Sequence, residues 1–140
     1  FGQIVILLLR QLGVTERRLP PTDKDRDRTL DIIDNYFESN LAPNPRAEEL
    51  AEKLHISRRH LSRILQKTYG MNFRDKLLLA RMDRSAWLLR HTDKSVSAIA
   101  GEVGYTYDSA FRQAFRERFG MTPLEYRQQT RKDEPNERHH

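Results

Sequence analysis

Polar side chains that suit nucleic-acid bases recur at helical spacing in two segments of this chain. The first outward set comprises Arg58, Arg59, Ser62, Arg63, Gln66 and Lys67, and the second comprises Tyr107, Asp108, Ser109, Arg112, Gln113 and Arg116. An arginine can donate two hydrogen bonds to guanine, a glutamine can pair with adenine, and a serine can bond to either. Any solvated helix can carry such a face, so the recurrence is more informative than either copy alone.

Each outward set lies in one copy of a repeated pattern, which predicts a short helix, a tight turn and a longer helix closed by glycine. The copies span residues 47–70 and 96–120, and the second turn is one residue longer. The apolar residues expected to close the two small cores are Ala51, Leu54, Ile56, Leu61 and Leu65, then Ile99, Ala100, Val103, Tyr105, Phe111, Ala114 and Phe115. The sequence therefore predicts two helix-turn-helix units in tandem, a motif whose second helix fits a DNA major groove.

The rest of the chain from Arg26 onward also has helical periodicity, and no stretch alternates as a strand. The pattern predicts a first helix around 30–37, a long helix over 72–91 with Met82 and Trp87 in its core, and a last helix opened by the Thr122–Glu125 capping box. Ser57, Asn72 and Ser95 stand where N-caps belong, and Gly70 where a helix stops. We expect an all-α chain of seven helices, preceded by an apolar segment at 1–12.

The predicted long helix has a length that relates to DNA. Its twenty residues span ~30 Å at 1.5 Å per residue. Successive exposures of the major groove on one DNA face lie ~34 Å apart. Such a helix would hold both units on one face of the duplex, and a poor match would require DNA bending that costs about 1–6 kcal/mol.

Composition argues against several other classes of protein. The chain has no cysteine and a net charge of +5, which agrees with a reducing cytoplasm and mildly favours a polyanionic partner. The apolar run at 4–9 is far shorter than the ~20 residues that span a bilayer, so no membrane association is expected. His55, His60 and His91 lack partners at metal-ligand spacing, and no glycine loop suited to phosphates is present. We expect neither an enzyme nor a metal or cofactor site.

The stretch 104–127, GYTYDSAFRQAFRERFGMTPLEYR, closely resembles the signature of AraC/XylS-type transcription regulators. The resemblance covers about 29–131, including both helix-turn-helix units and the long helix between them. It implies a homeodomain-like tandem helix-turn-helix fold and the DNA-binding domain of a bacterial activator or repressor. The implied function is to insert two recognition helices into successive major grooves of one operator.

The resemblance also assigns roles to the outward sets. The implied base-contacting residues are Arg59, Ser62, Arg63, Asp108, Ser109, Arg112 and Gln113. The residues expected to contact the DNA backbone, which fixes register without reading sequence, are Arg58, Gln66, Lys67, Tyr107 and Arg116. Ala110 and Arg112 replace the small hydroxyl or aromatic residues that are frequent in the family, and Arg116 replaces a common lysine. These departures bear on the target sequence rather than on the fold.

The predicted organisation has three parts. Residues 1–22 are expected to be the tail of an upstream sensor or dimerisation domain plus a linker, 23–132 the DNA-binding domain, and 133–140 a disordered tail. Within the domain, the first helix-turn-helix unit is expected at about 46–70, the linking helix at 72–91 and the second unit at 95–120. The implied partners are double-stranded DNA, RNA polymerase, a small effector on the upstream domain and a second copy of the full-length protein.

A helical protein-interaction module without DNA binding is the alternative reading of the same pattern. A protein-docking surface does not require basic character on both recognition helices, which this sequence has. Salt dependence separates the two, because counterion release makes DNA affinity fall steeply as salt rises.

Overall fold

The computed structural model describes residues 22–133, and in this part every regular element is a helix. The seven helices are α1 Asp23–Ser39, α2 Ala47–Lys53, α3 Arg58–Tyr69, α4 Phe73–His91, α5 Val96–Glu102, α6 Asp108–Phe119 and α7 Pro123–Asp133. The predicted all-α architecture with seven helices is therefore confirmed. The predicted apolar helix at 1–12, the remainder of the linker up to residue 21 and the tail from 134 lie outside the described residues.

The chain divides into two compact units, Phe1–Asp31 and Ile32–His140. The described part of the first unit is the beginning of α1. There Thr22 and Asp25 form a reciprocal cap, in which the Asp25 N–H donates to Thr22 Oγ1 at 3.2 Å and the Thr22 hydroxyl donates to the Asp25 carboxylate at 2.7 Å. This cap satisfies donors that the first helical turn leaves unpaired.

Local capping signals set five helix boundaries within residues 32–133. Ser57, Asn72 and Ser95 each accept a hydrogen bond from the backbone N–H three residues later. Gly70 and Gly120 close α3 and α6 with φ of 67° and 74°, the left-handed conformation that glycine adopts without strain. These five boundaries agree with the sequence predictions.

One core lies among the end of α1, α2, α3 and the start of α4. Its buried side chains are Ile33, Tyr36, Phe37, Leu50, Ala51, Leu61 and Leu65. The Phe73 ring at the start of α4 packs on Phe37 with 5.0 Å between ring centroids. The linking helix α4 thus begins inside the core of the first helix-turn-helix unit.

The second core lies among α4, α5 and α6, with α7 packed against it. Its buried residues are Leu41, Met82, Ala86, Leu88, Leu89, Ile99, Ala100, Val103, Phe111 and Phe115. Tyr126 of α7 contacts Phe115 edge-on, at 5.4 Å between ring centroids. The two helix-turn-helix units therefore share α4 as a common structural element.

Trp87 is not a core residue, and the prediction that buried it is wrong. Its side chain is 48% exposed, with the Arg84 guanidinium 4.7 Å and the His91 ring 4.8 Å from its own ring. The buried stripe of this part of α4 follows Met82, Ser85, Ala86, Leu88 and Leu89. Trp87 lies beside that stripe, so about half of its side chain remains exposed to solvent.

The turns of the two helix-turn-helix units close in the same way. Ile56 N–H donates to the Ala51 carbonyl at 3.0 Å, and Tyr105 N–H donates to the Ala100 carbonyl at 2.9 Å. The residue before each of these donors has positive φ, 57° at His55 and 101° at Gly104. Both turns therefore reverse the chain through a conformation that most side chains disfavour.

Candidate nucleic-acid interface

All twelve residues of the two outward sets are exposed, and they lie on α3, on α6 and at the residue before α6. On the opposite faces Leu61 and Leu65 of α3, and Phe111 and Phe115 of α6, are buried with 1% exposure or less. Both helices have twelve residues, and their buried positions correspond after a shift of fifty positions. The repeat seen in the sequence is thus a repeat in three dimensions, with each polar set facing solvent.

Helix α3 is the more basic of the two. It carries Arg58, Arg59, Arg63 and Lys67 and no acidic residue. Arg58 forms an ion pair with Glu48 of α2 at 3.2 Å, whereas Arg59, Arg63 and Lys67 have no ion pair with any residue in 22–133. The pKa of Glu48 is lowered, first by a hydrogen bond from its own backbone N–H and then by the nearby arginines Arg58 and Arg46. Within the described residues, three cations of α3 therefore have no acidic partner and can meet an anionic ligand.

Helix α6 combines cations with carboxylates. The Ser97 hydroxyl of α5 donates a hydrogen bond to the Asp108 carboxylate, and the Gln113 amide donates to Glu117 at 3.3 Å. Within the described part of the chain, no ion pair engages Arg112 or Arg116. Two of the seven predicted base-contacting residues, Asp108 and Gln113, therefore already have a partner inside the protein.

Sequence reasoning missed three residues at this surface. Arg74 of α4 lines a depression of about 490 Å³ together with Arg58, Arg59 and Ser62 of α3, which adds a cation beside the first recognition helix. Glu48 and Ser97 are the partners of the first residues of α3 and α6. The sequence carries one signal for the latter pair, since each is the second residue of the short helix in its repeat.

Three half-buried arginines connect the linking helix to neighbouring segments. Arg81 donates to the Leu41 carbonyl from two nitrogens, at 3.1 and 3.0 Å, and burial lowers its pKa. Arg127 of α7 donates to the Leu89 and Thr92 carbonyls at 3.0 and 3.1 Å, and Arg131 donates to Thr92 at 2.7 Å. The bonds from Arg127 and Arg131 satisfy carbonyls at the end of α4 and attach α7 to it.

The chemistry available at this surface is hydrogen bonding and charge attraction. Residues 22–133 contain no group of three or more histidine, cysteine or acidic side chains placed to hold a metal ion. In the same part of the chain, no helix combines the length and apolar character needed to cross a membrane. The surface has two polar helix faces on which Arg59, Arg63, Arg112 and Arg116 form no ion pair with any residue in 22–133.

Comparison with known proteins identifies the family. The family described as "Helix-turn-helix domain" matches residues 50–129. The chain is 32% identical over 124 residues to the HTH-type transcriptional activator RhaS of Escherichia fergusonii, covering 87% of this chain and 45% of that protein.

Solved structures agree with this assignment. An AraC-type regulator from Chromobacterium violaceum superimposes with a TM-score of 0.72 at 26% identity, covering 77% of this chain and 96% of that one. The DNA-binding domain of AdpA, solved in complex with a target DNA, gives a TM-score of 0.68 at 28% identity, covering 77% of this chain and 96% of that one.

The chain spans 34%, 37% and 45% of the length of three curated relatives that it matches. The match to the family nevertheless covers both helix-turn-helix units and the linking helix. The described fold has the same tandem arrangement that the AraC-type structures share. The chain belongs to the AraC/XylS family of helix-turn-helix transcription regulators and corresponds to the DNA-binding domain of that family.

Proposed function

We propose that this domain binds one DNA operator by inserting α3 and α6 into successive major grooves. The observation that carries the proposal is the pair of exposed, arginine-bearing helix faces built on one shared helix, α4. The similarity to a DNA-binding domain solved with its target DNA supports it independently. A domain of this kind would determine which promoters the regulator binds.

The proposed readers of base edges are Arg59, Ser62 and Arg63 in the first unit and Ser109, Arg112 and Gln113 in the second. Arg59, Arg63 and Arg112 have no ion pair within the described residues, so DNA binding costs them no internal contact. An arginine that pairs bidentately with guanine discriminates against a wrong base by about 1–3 kcal/mol. Asp108, predicted with this group, differs from the others because its carboxylate is already hydrogen-bonded to Ser97.

The proposed contacts to the DNA backbone are Arg58, Gln66, Lys67, Tyr107 and Arg116. Tyr107 is 71% exposed and immediately precedes α6, where a hydroxyl can reach a phosphate. Arg74 joins this group, because it lines the same depression as Arg58 and Arg59. Such contacts fix the register of the protein on the duplex and make the affinity depend on salt.

The length of α4 supports simultaneous binding by both units. Its nineteen residues span about 29 Å, against about 34 Å between successive major grooves on one DNA face. The helix is thus about 5 Å shorter than the groove spacing. Either α3 and α6 lie beyond the ends of α4 by enough to span the remaining distance, or the DNA bends at a cost of about 1–6 kcal/mol. Electrophoretic mobility of fragments with the site at their centre or their end distinguishes a straight duplex from a bent one.

For the whole protein we propose a transcription regulator with an upstream domain. The chain corresponds to less than half the length of relatives such as RhaS, which leaves room for a domain that binds a small effector. RNA polymerase and a second copy of the protein are the other partners that we propose for the full-length regulator.

Selection from a random pool of duplex DNA, followed by binding measurements at several salt concentrations, tests the proposed function. We expect enrichment of one site with two conserved segments, and a log–log salt slope of about −0.9 per phosphate neutralised. A protein that enriches no sequence, and whose binding to partner proteins is indifferent to salt, would instead be a protein-interaction module.

A further inference from the structure

The same two positions are linked by a side-chain contact in both helix-turn-helix units. The second residue of each short helix is Glu48 in α2 and Ser97 in α5, and the first residue of each recognition helix is Arg58 in α3 and Asp108 in α6. Glu48 and Arg58 form an ion pair at 3.2 Å. The Ser97 hydroxyl donates a hydrogen bond to the Asp108 carboxylate. The contact therefore recurs although all four residue types differ.

The two linked pairs have opposite chemistry. In the first unit the acid is on the short helix and the cation on the recognition helix, whereas in the second unit the acid is on the recognition helix. A carboxylate at the start of α6 is repelled by the DNA phosphates, and the base-edge role open to it is to accept a hydrogen bond from a cytosine or adenine amino group. With one oxygen already bonded to Ser97, it has an evident role inside the protein.

From this correspondence we infer that Asp108 is a positioning residue rather than a base reader. Through Ser97 it fixes the start of α6 against α5, as Arg58 fixes the start of α3 through Glu48. The direction in which α6 projects then determines where Ser109 and Arg112 meet the base edges. The inference rests on the proposed function and assigns to Asp108 a role in it that differs from the prediction.

Because both pairs are exposed, they contribute little to global stability. Their effect is expected in DNA binding, where a small rotation of a recognition helix moves several hydrogen-bonding groups at once. The informative variants are Ser97→Ala, which removes the link and leaves the Asp108 carboxylate in place, and Asp108→Ala, which removes both. Ser97→Thr is the conservative variant, since it keeps a hydroxyl at position 97.

The experiment first selects the preferred site with the parent protein and then measures the affinity of each variant for that site and for its single-base variants. We expect Ser97→Ala and Asp108→Ala to weaken binding by a similar factor, about 2- to 10-fold. The double variant with Ser97→Ala and Asp108→Ala should have an affinity no lower than that of the single variant that binds DNA less tightly. The base preference should stay unchanged in all three. Ser97→Thr should bind with the parent affinity.

Asp108→Ala also removes a negative charge, which by itself favours binding to a polyanion. Glu102→Ala is the matched control for the loss of charge. Glu102 lies at the end of α5, the short helix that carries Ser97, and it pairs with Lys94 at 3.0 Å. The affinity of Asp108→Ala is therefore compared with that of Glu102→Ala. Melting temperatures of all variants within a few degrees of the parent show that each is folded.

Three results would overturn the inference. In the first, Asp108→Ala relaxes the preference at one base pair and Ser97→Ala does not, which makes Asp108 a base reader. In the second, neither variant changes affinity, so the link positions nothing. In the third, only Ser97→Ala weakens binding, which makes Ser97 a DNA contact of its own. A parent protein that enriches no sequence would overturn the proposed function instead, before any variant is compared.

Discussion

Arg81 is bound to the Leu41 carbonyl oxygen by two hydrogen bonds, from Nε at 3.1 Å and from its terminal nitrogen at 3.0 Å. Leu41 follows α1 and is buried in the second core, and the Arg81 guanidinium also lies 5.5 Å from the Tyr105 ring in the turn of the second helix-turn-helix unit. A single side chain of the linking helix thus joins the segment after α1 to the second helix-turn-helix unit. The contact holds that segment against α4.

We predict that Arg81→Met lowers the free energy of unfolding by about 1–3 kcal/mol, because it leaves the Leu41 carbonyl without its charged donor. Arg74→Met is the control, since Arg74 is exposed on the same helix and should change stability by less than about 0.5 kcal/mol. Urea unfolding of both variants gives the comparison. Equal stabilities would show that the Arg81 contact contributes nothing.

Gly104 should be intolerant of a side chain. An added Cβ would lie 2.3 Å from the Leu41 carbonyl oxygen and 2.7 Å from the Arg81 guanidinium, and φ is 101° at this position. We expect Gly104→Ala to destabilise the domain by about 1–3 kcal/mol or more.

Gly101 is the matched control for that substitution. It lies within α5, and an added Cβ would meet no atom within 4 Å. Gly101→Ala should stabilise the domain by up to about 1 kcal/mol, because alanine favours a helix. Thermal unfolding of the two alanine variants side by side gives the test, and a Gly104→Ala variant as stable as the parent would refute the close approach at Leu41.

Trp87→Ala should cost little stability, within about 1 kcal/mol, because the ring is 48% exposed. Phe111→Ala, at a fully buried position of the second core, should cost about 3–5 kcal/mol. The ratio of the two losses in chemical denaturation checks the burial directly. A loss at Trp87 as large as that at Phe111 would mean that Trp87 is buried in solution.

Lys67→Ala should weaken binding to every DNA sequence by a similar factor and make the log–log salt slope shallower by about one, because it removes the cation proposed to contact one phosphate. Arg84→Ala removes the same charge from α4, outside both recognition helices, and should leave the slope nearly unchanged. Fluorescence anisotropy titrations with one labelled operator over a series of salt concentrations measure both slopes. If the two variants behave alike, Lys67 has no special position at the DNA.

Features that depend on neighbouring residues were predictable from the sequence. The caps at Ser57, Asn72 and Ser95 and the terminal glycines Gly70 and Gly120 follow from rules that act within one helical turn. The exposed faces of α3 and α6 followed from periodicity alone. For this reason the fold and the location of the candidate interface agree with the sequence analysis.

Features that depend on distant residues were not predictable. Arg81 and Leu41 are forty positions apart, and nothing in the periodicity of α4 distinguishes Arg81 from its exposed neighbour Arg84. The size and apolar character of Trp87 predict a core position, although the packing of α4 against other helices leaves this residue 48% exposed. Periodicity also placed Asp108 on the outer face of α6 without revealing its bond to Ser97.

To determine whether α3 and α6 read neighbouring grooves of one operator, every base pair of the selected site is scanned with the parent, Arg63→Ala and Arg112→Ala. Each variant should lose about 1–3 kcal/mol of discrimination at its own base pairs and keep the parent preference elsewhere. The two affected positions should lie about 10 base pairs apart, one helical turn of DNA. Unchanged preference at every position, or loss at the same position in both variants, would show that the two helices do not read neighbouring grooves.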